Sequence, residues 1–186
     1  MYKISFLELW DITANQVKLP YSTGLIWGYC RLNPTIKENF SLEMEDWMYY
    51  RQDEDKIIEQ IKDSHIIGVS NFVWNSVQNT SIIRKIKKIN PQCVVVFGGQ
   101  GTPKGDRCQQ FCDDNPGIDI LVHGEGELTF EDILLRYLID KDWTKVNGIT
   151  INPPLGKLIS TPPRERLKDI DSMPSPYLDG LFDDLV

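Results

Sequence analysis

Three short stretches of the chain bring together residue types that could meet a ligand: "SNFVWN" (70–75), "GGQG" (98–101) and "GEGE" (124–127). Each follows an apolar run. Glycine has no Cβ, so a flat ligand can approach the main chain closely at Gly98, Gly99 and Gly101 and bond to its N–H groups, and a positive φ costs little there. Ser70, Asn71, Asn75 and Gln100 add hydroxyl and amide groups beside that bare backbone. Gly124 and Gly126 lead into a helical pattern whose first amides would favour an anion. Glu125 and Glu127 oppose a bare phosphate and are expected to cap amides or accept from hydroxyls. Any one glycine pair can simply make a turn; three sets at neighbouring strand ends point instead to a shallow, backbone-lined groove. A bulky residue at Gly99 is then expected to weaken binding far more than folding.

No catalytic constellation accompanies the groove. The chain has no P-loop, no G-x-S-x-G elbow and no H-E-x-x-H helix. Of its two histidines, His65 precedes a strand and reads as structural. His123 lies at the carboxyl edge but on the fifth strand, roughly 10 Å from the third, open between packing and the edge of a ligand. Cys108 and Cys112 would share a helix face, but Asn115 stands where an iron–sulfur motif needs its third cysteine, so both read as buried small residues. No catalytic and no metal-ligating residue is assigned.

The elements that would carry these groups follow from periodicity. Strands are predicted at 3–9, 40–47, 65–71, 93–99 and 118–124, separated by amphipathic segments, the pattern of βαβ units. In the helices, Ile57, Ile58 and Ile61 share a face, as do Ile82, Ile86 and Ile89, and Phe130, Ile133, Leu134, Tyr137 and Leu138. Arg84, Lys85, Lys87 and Lys88 read as a solvated face. Thr129 and Asp132 form a T-x-x-D capping pattern. The fold class is α/β: a doubly wound, five-stranded parallel sheet, flavodoxin-like or Rossmann-like, in the order 2-1-3-4-5, over residues 1–142. A small β-hairpin is predicted over 143–163. The proline-, serine- and acid-rich stretch 164–186 reads as a linker toward a further domain. In such a sheet ligands bind at the carboxyl ends of the strands, where all three stretches fall.

Composition limits the partners. A formal net charge of −7 argues against a nucleic-acid binder, which needs a basic face. No apolar run nears the roughly 18 residues of a membrane span, and the N-terminus lacks a signal layout; no membrane partner and a cytoplasmic location are expected. The four scattered cysteines read as reduced.

The segments "GVSNFVWN", "INPQCVVVFGGQGTP", "IDILVHGEGELTFEDILLRYL" and "GITI", followed by "LKDIDSMPSPYLDG", resemble the cobalamin-binding domain at the N-terminus of cobalamin-dependent radical S-adenosylmethionine (SAM) enzymes. More distantly the chain is similar to cobalamin modules with a D-x-H-x-x-G, S-x-L and glycine-pair pattern: Ser70-Asn71-Phe72 and Gly98-Gly99 match the later motifs, with Phe for Leu, while the first motif is absent. The resemblance implies a cobalamin (vitamin B12) site whose cobalt has no histidine beneath it. The nucleotide tail would run along Ser70 and Gly98–Gly101 toward Gly124–Glu127. The corrin would rest on a loop at Tyr21, Ser22, Thr23 and Gly24 and on Phe72, Val73, Trp74 and Asn75, with Trp74 open between corrin packing and core. It further implies a methyltransferase-like partner domain, in cis or trans, that supplies a [4Fe-4S] cluster and S-adenosylmethionine; the chain alone would not catalyse. The competing reading is a degenerate module that binds no corrin and docks a substrate or partner. A phosphoacceptor receiver lacks its acidic residues, since strand one is followed by the single Asp11. A nucleotide site lacks the spacing of a dinucleotide fingerprint.

Overall fold

The computed structural model describes residues 1–10 and 18–185; Asp11 lies outside them. The chain opens with strand β1 (Tyr2–Leu7). It is followed by helix α1 (Tyr21–Cys30), helix α2 (Pro34–Asn39) and two short strands, β2 (Phe40–Ser41) and β3 (Trp47–Met48). Then come α3 (Glu54–Ile61), β4 (Ile66–Ser70), α4 (Ser76–Ile89), β5 (Val94–Gly98), α5 (Arg107–Asp114), β6 (Ile120–Val122), α6 (Glu127–Ile139), β7 (Ile149–Ile151) and β8 (Ile159–Ser160). The sheet runs β2-β1-β4-β5-β6-β7-β8, with β3 also on β1. Pairing is parallel up to β6 and antiparallel beyond it.

This is the α/β, Rossmann-like architecture that the periodicity predicts, with two differences. The second predicted strand is split, because Met44–Asp46 coil into a 3-10 turn and leave two-residue pairings on either side. The predicted hairpin forms, β7 pairing with β8, and it also lengthens the sheet beyond five strands, because Ile149–Ile151 pair with β6.

Strand side chains alternate between the two faces, and each face is covered by helices. Ile4, Phe6, Ile66, Val96 and Ile120 pack with α1 and α6 residues such as Trp27, Phe130 and Ile133. Leu7, Ile67, Val69, Val95 and Phe97 pack with α3, α4 and α5. The α4 stripe is rotated from the predicted one: Ile82, Ile83 and Ile86 are buried while Ile89 is 57% exposed. The basic residues of α4 face outward and pair locally, Lys85 with Glu54 at 2.9 Å and Lys87 with Asp119 at 2.6 Å. The predicted T-x-x-D cap falls inside α6, which starts at Glu127. Thr129 instead donates to the Glu125 carbonyl at 3.1 Å, and Asp132 pairs with Arg164.

The 164–185 segment lies against the domain. Its Phe182 is 2% exposed and meets Trp47 edge-on at 5.5 Å. A Cβ at Gly24 would lie 2.3 Å from the Phe182 ring, and one at Gly28 would lie 3.5 Å from Pro174. The two glycines, one helical turn apart, make a shallow track for this tail along α1. Truncating Phe182 to alanine is expected to cost about 3 kcal/mol by denaturant unfolding, in the range for a large buried aromatic, and to open residues 164–185 to limited proteolysis. Unchanged stability with a protected tail would show that Phe182 does not hold it.

Candidate functional site

On the face carrying α1 and α6, inward side chains dwindle toward the carboxyl ends of the two middle strands. β4 presents Ile66, Gly68 and Ser70 in turn, and β5 presents Val94, Val96 and Gly98. Ser70 and Gly98 are register partners. The overlying helices cannot close on residues this small, and a cavity of about 310 Å³ remains between the strand ends and the first turns of α1 and α6. Its apolar part includes Phe6, Val96, Val122 and Phe130.

Most of the residues singled out in the sequence meet here. Tyr21, Ser22 and Thr23 line the cavity, as do Ser70, Phe72, Gly98, Gly99 and Gln100. Gly124, Glu125, Gly126 and Glu127 line it from the turn into α6, whose N-cap Gly126 offers no side-chain bond to the first amides. Glu125 does cap an amide, accepting from Leu167 N–H at 2.7 Å.

The other six lie elsewhere. The expected loop at 21–24 is the first turn of a helix, and Gly24 faces the tail. Asn71 is wholly buried, with the Gly101 amide donating to its carbonyl at 2.8 Å. Val73 is 88% exposed and outside the cavity. Asn75 is a structural hub: its Nδ2 donates to the Leu9 and Ser70 carbonyls at 2.9 and 3.0 Å, and its Oδ1 accepts from Phe72 N–H at 2.8 Å. Gly101 packs on the same segment, since a Cβ there would lie 3.0 Å from the Asn71 carbonyl. Trp74 stands beside the cavity, stacked on Phe72 at 4.6 Å and on Trp10 at 6.0 Å. Arg51 ties this stack together by donating to the Trp10 and Trp74 carbonyls.

The two glycines of the β5 end have different jobs. Gly99 has φ +90°, and a Cβ there would lie 2.8 Å from the Asn71 carbonyl oxygen. Its substitution therefore strains the fold itself, which the expectation of a loss mainly in binding leaves out. A Cβ at Gly98 would meet only Val122, at an ordinary 3.8 Å. Gly98 is the position open to a ligand.

Glu8 is the functional residue the motifs miss. It is 2% exposed, on the same strand face as Ile4 and Phe6, and it does for α1 what an N-cap would. α1 follows Pro20 and has no side-chain cap of its own. One Glu8 oxygen accepts from Ser22 N–H (3.3 Å) and hydroxyl (3.0 Å), the other from Thr23 N–H and hydroxyl (both 2.8 Å). The available signal was an acid in the buried phase of an apolar strand, which demands partners.

The remaining candidates are structural. His65 Nδ1 accepts from Lys3 N–H at 3.1 Å, at the amino edge. His123 Nε2 shares a 2.8 Å hydrogen bond with the Thr150 hydroxyl, and burial pushes its pKa down. Cys108 and Cys112 are buried on α5, and burial pushes the Cys112 thiol up to about 11. Among the described residues no group of three or more His, Cys, Asp and Glu is arranged to hold a metal ion. No helix among them is long and apolar enough to cross a membrane.

A groove at the carboxyl ends of parallel strands, walled by bare backbone and two helix starts, defines an α/β cofactor-binding module. The chain belongs to the B12-binding domain family, whose model, described as "B12 binding domain", matches residues 40–134. It is 31% identical over 90% of its length to the 2-(S-pantetheinyl)-carbapenam-3-carboxylate methyltransferase of Streptantibioticus cattleyicolor. It is 28% identical, also over 90%, to the cobalamin-dependent radical SAM methyltransferase TokK of Streptomyces tokunonensis. The chain spans 24% of each of these relatives. Its fold is similar to that of the cobalamin-dependent S-adenosylmethionine radical enzyme OxsB with aqua-cobalamin bound, at a TM-score of 0.71 and 22% identity, covering 97% of this chain and 25% of that one.

Glu8 makes a pH signature. Burial outweighs its four hydrogen bonds and raises its pKa above the ordinary carboxylate value. Between the unfolded-state and folded-state pKa values the folded chain then holds more proton than the unfolded one, so stability falls as pH rises through that window. Glu8→Gln lacks this titration. The unfolding free energy of the variant relative to wild type is expected to shift in the variant's favour as pH rises from about 4, near the ordinary carboxylate pKa, and to level off once Glu8 is ionised in the fold. A difference constant with pH would show that Glu8 titrates as an ordinary exposed acid does.

Proposed function

We propose that this chain holds cobalamin and presents it to a radical S-adenosylmethionine domain, supplied in cis or trans, in a methyltransferase-like enzyme. The observation that carries the reading is the open cradle at Ser70 and Gly98, where a cofactor arm can lie against main chain without displacing any side chain. The cavity is at the small end of the roughly 300–1,000 Å³ typical of ligand sites; it suits a nucleotide arm and not a macrocycle.

The residues fit that division. Ser70 and the Gly98–Gln100 backbone line the arm's path, and the uncapped start of α6 offers amides to its polar groups. The Phe72–Trp74–Trp10 stack forms an aromatic lip on which the corrin face can rest, with Trp74 41% exposed. Both histidines are engaged elsewhere, His65 at the amino edge and His123 on Thr150, so neither would serve as a cobalt ligand from this lip. When bound, cobalamin supplies a cobalt that can carry a methyl group. The [4Fe-4S] cluster and S-adenosylmethionine belong to the partner domain, and by itself the chain is a holder without catalysis. The acidic surface fits a protein partner and no nucleic acid, and a cytoplasmic setting suits its buried thiols.

Titration of the purified chain with hydroxocobalamin, followed by the corrinoid absorbance and tryptophan emission, is expected to saturate. Gly98→Val should weaken binding by about tenfold or more, because its side chain fills the cradle, while the midpoint of thermal unfolding stays near wild type. Ser70→Ala should cost about 0.5–1.5 kcal/mol of binding, one net hydrogen bond. Spectra unchanged at saturating hydroxocobalamin would replace this reading with the docking module.

A further inference from the structure

The first turn of α1 carries an unusual polarity. A helix start normally offers free amides and attracts anions. Here the Ser22 and Thr23 amides are both taken by the buried Glu8 carboxylate, at 3.3 and 2.8 Å. The hydroxyls of the same residues lie 3.0 and 2.8 Å from it. A hydroxyl has one proton and two lone pairs, and an ionised carboxylate only accepts. At a pH above its raised pKa Glu8 is ionised, and the Ser22 proton is then directed to it. The Thr23 proton goes the same way or to its other neighbour, the Pro20 carbonyl at 3.3 Å, also an acceptor. Ser22 and Thr23 line the cavity whereas Glu8 does not. What this rim shows to a ligand is lone pairs.

We infer that Glu8, acting through Ser22, is a specificity-determining positioning residue: it makes this rim an acceptor-only surface that takes a primary amide N–H from the ligand's periphery and rejects a carboxylate at the same place. The inference rests on the cobalamin reading, since the edge of that cofactor is studded with primary amides. Its claim is narrower, because a groove could bind the cofactor without telling an amide from an acid. Glu125 and Glu127 line the same cavity and add to the negative field, so the variant at Glu8 separates its share from theirs. Glutamine at position 8 keeps the size and one acceptor but introduces an N–H₂ donor, which frees a hydroxyl of the turn to donate outward.

The test compares hydroxocobalamin with its single-amide hydrolysis products, in which one peripheral amide has become a carboxylate, by absorbance titration of the chain on the upper plateau of the Glu8 stability profile, where that carboxyl is ionised. For at least one isomer, wild type is expected to prefer the amide by about threefold to tenfold, the range of one net hydrogen bond. That preference should shrink toward unity in Glu8→Gln. Circular dichroism checks that the variant folds. Ser22→Ala leaves Glu8 its two amides and Thr23, and it should lose the same preference for the same isomer. An amide-to-acid ratio unchanged in both variants, with cobalamin still bound, would overturn this inference alone. No binding of any corrinoid by wild type would overturn the functional reading and this inference with it.

Discussion

The site depends on a taper. Along one face of β4 and β5 the inward side chains run from isoleucine and valine to glycine and serine, and helices seated on the large residues cannot reach down to the small ones. Close packing elsewhere makes the gap specific. Gly68 also borders the cavity, but the Phe6 ring lies over it, where a Cβ would collide. Ser70 and Gly98 are left as the open part of the strand floor, beside the main chain of the β5 turn. A floor of main chain flanked by aromatic rings can seat a flat or extended cofactor by shape, with few side chains specifying it.

Holding the cavity open requires that its walls stay put, and both walls are fixed from a distance. α1 contains Gly24 and Gly28 and starts without a cap, so its intrinsic helix preference is low. It is held at one end by Glu8, just past the end of β1, and along one side by Phe182 and Pro174 from the far end of the chain. The 71–75 segment is held by Asn75, which joins the ends of β1 and β4 to the start of α4. The floor is rigid sheet, while the rim is built from contacts between residues far apart in sequence.

That division accounts for what could be read from sequence. The four long parallel strands and helices α3, α4 and α6 announce themselves through period-two and helical apolar patterns, and the strand ends name the correct edge. Twelve of the eighteen proposed contacts do line the cavity. The misses have local causes. α1 reads as a loop because its start is capped by a residue distant in sequence, Glu8. Gly98 and Gly99 could not be told apart, since only the approach of Asn71 decides which of them needs a positive φ. Residues 164–185 look like a linker by composition, and one buried aromatic docks them. Glu8 was passed over because a single acid in an apolar run carries no motif, although its burial is what orders the first turn of α1.

The most direct test of the cradle is a crystal structure of this chain grown with hydroxocobalamin. The account predicts the nucleotide arm lying over Gly98 beside Ser70, between the strand ends and α1, with the corrin on the Phe72–Trp74 lip. A corrinoid bound elsewhere, with that space filled by the protein's own side chains, would contradict it.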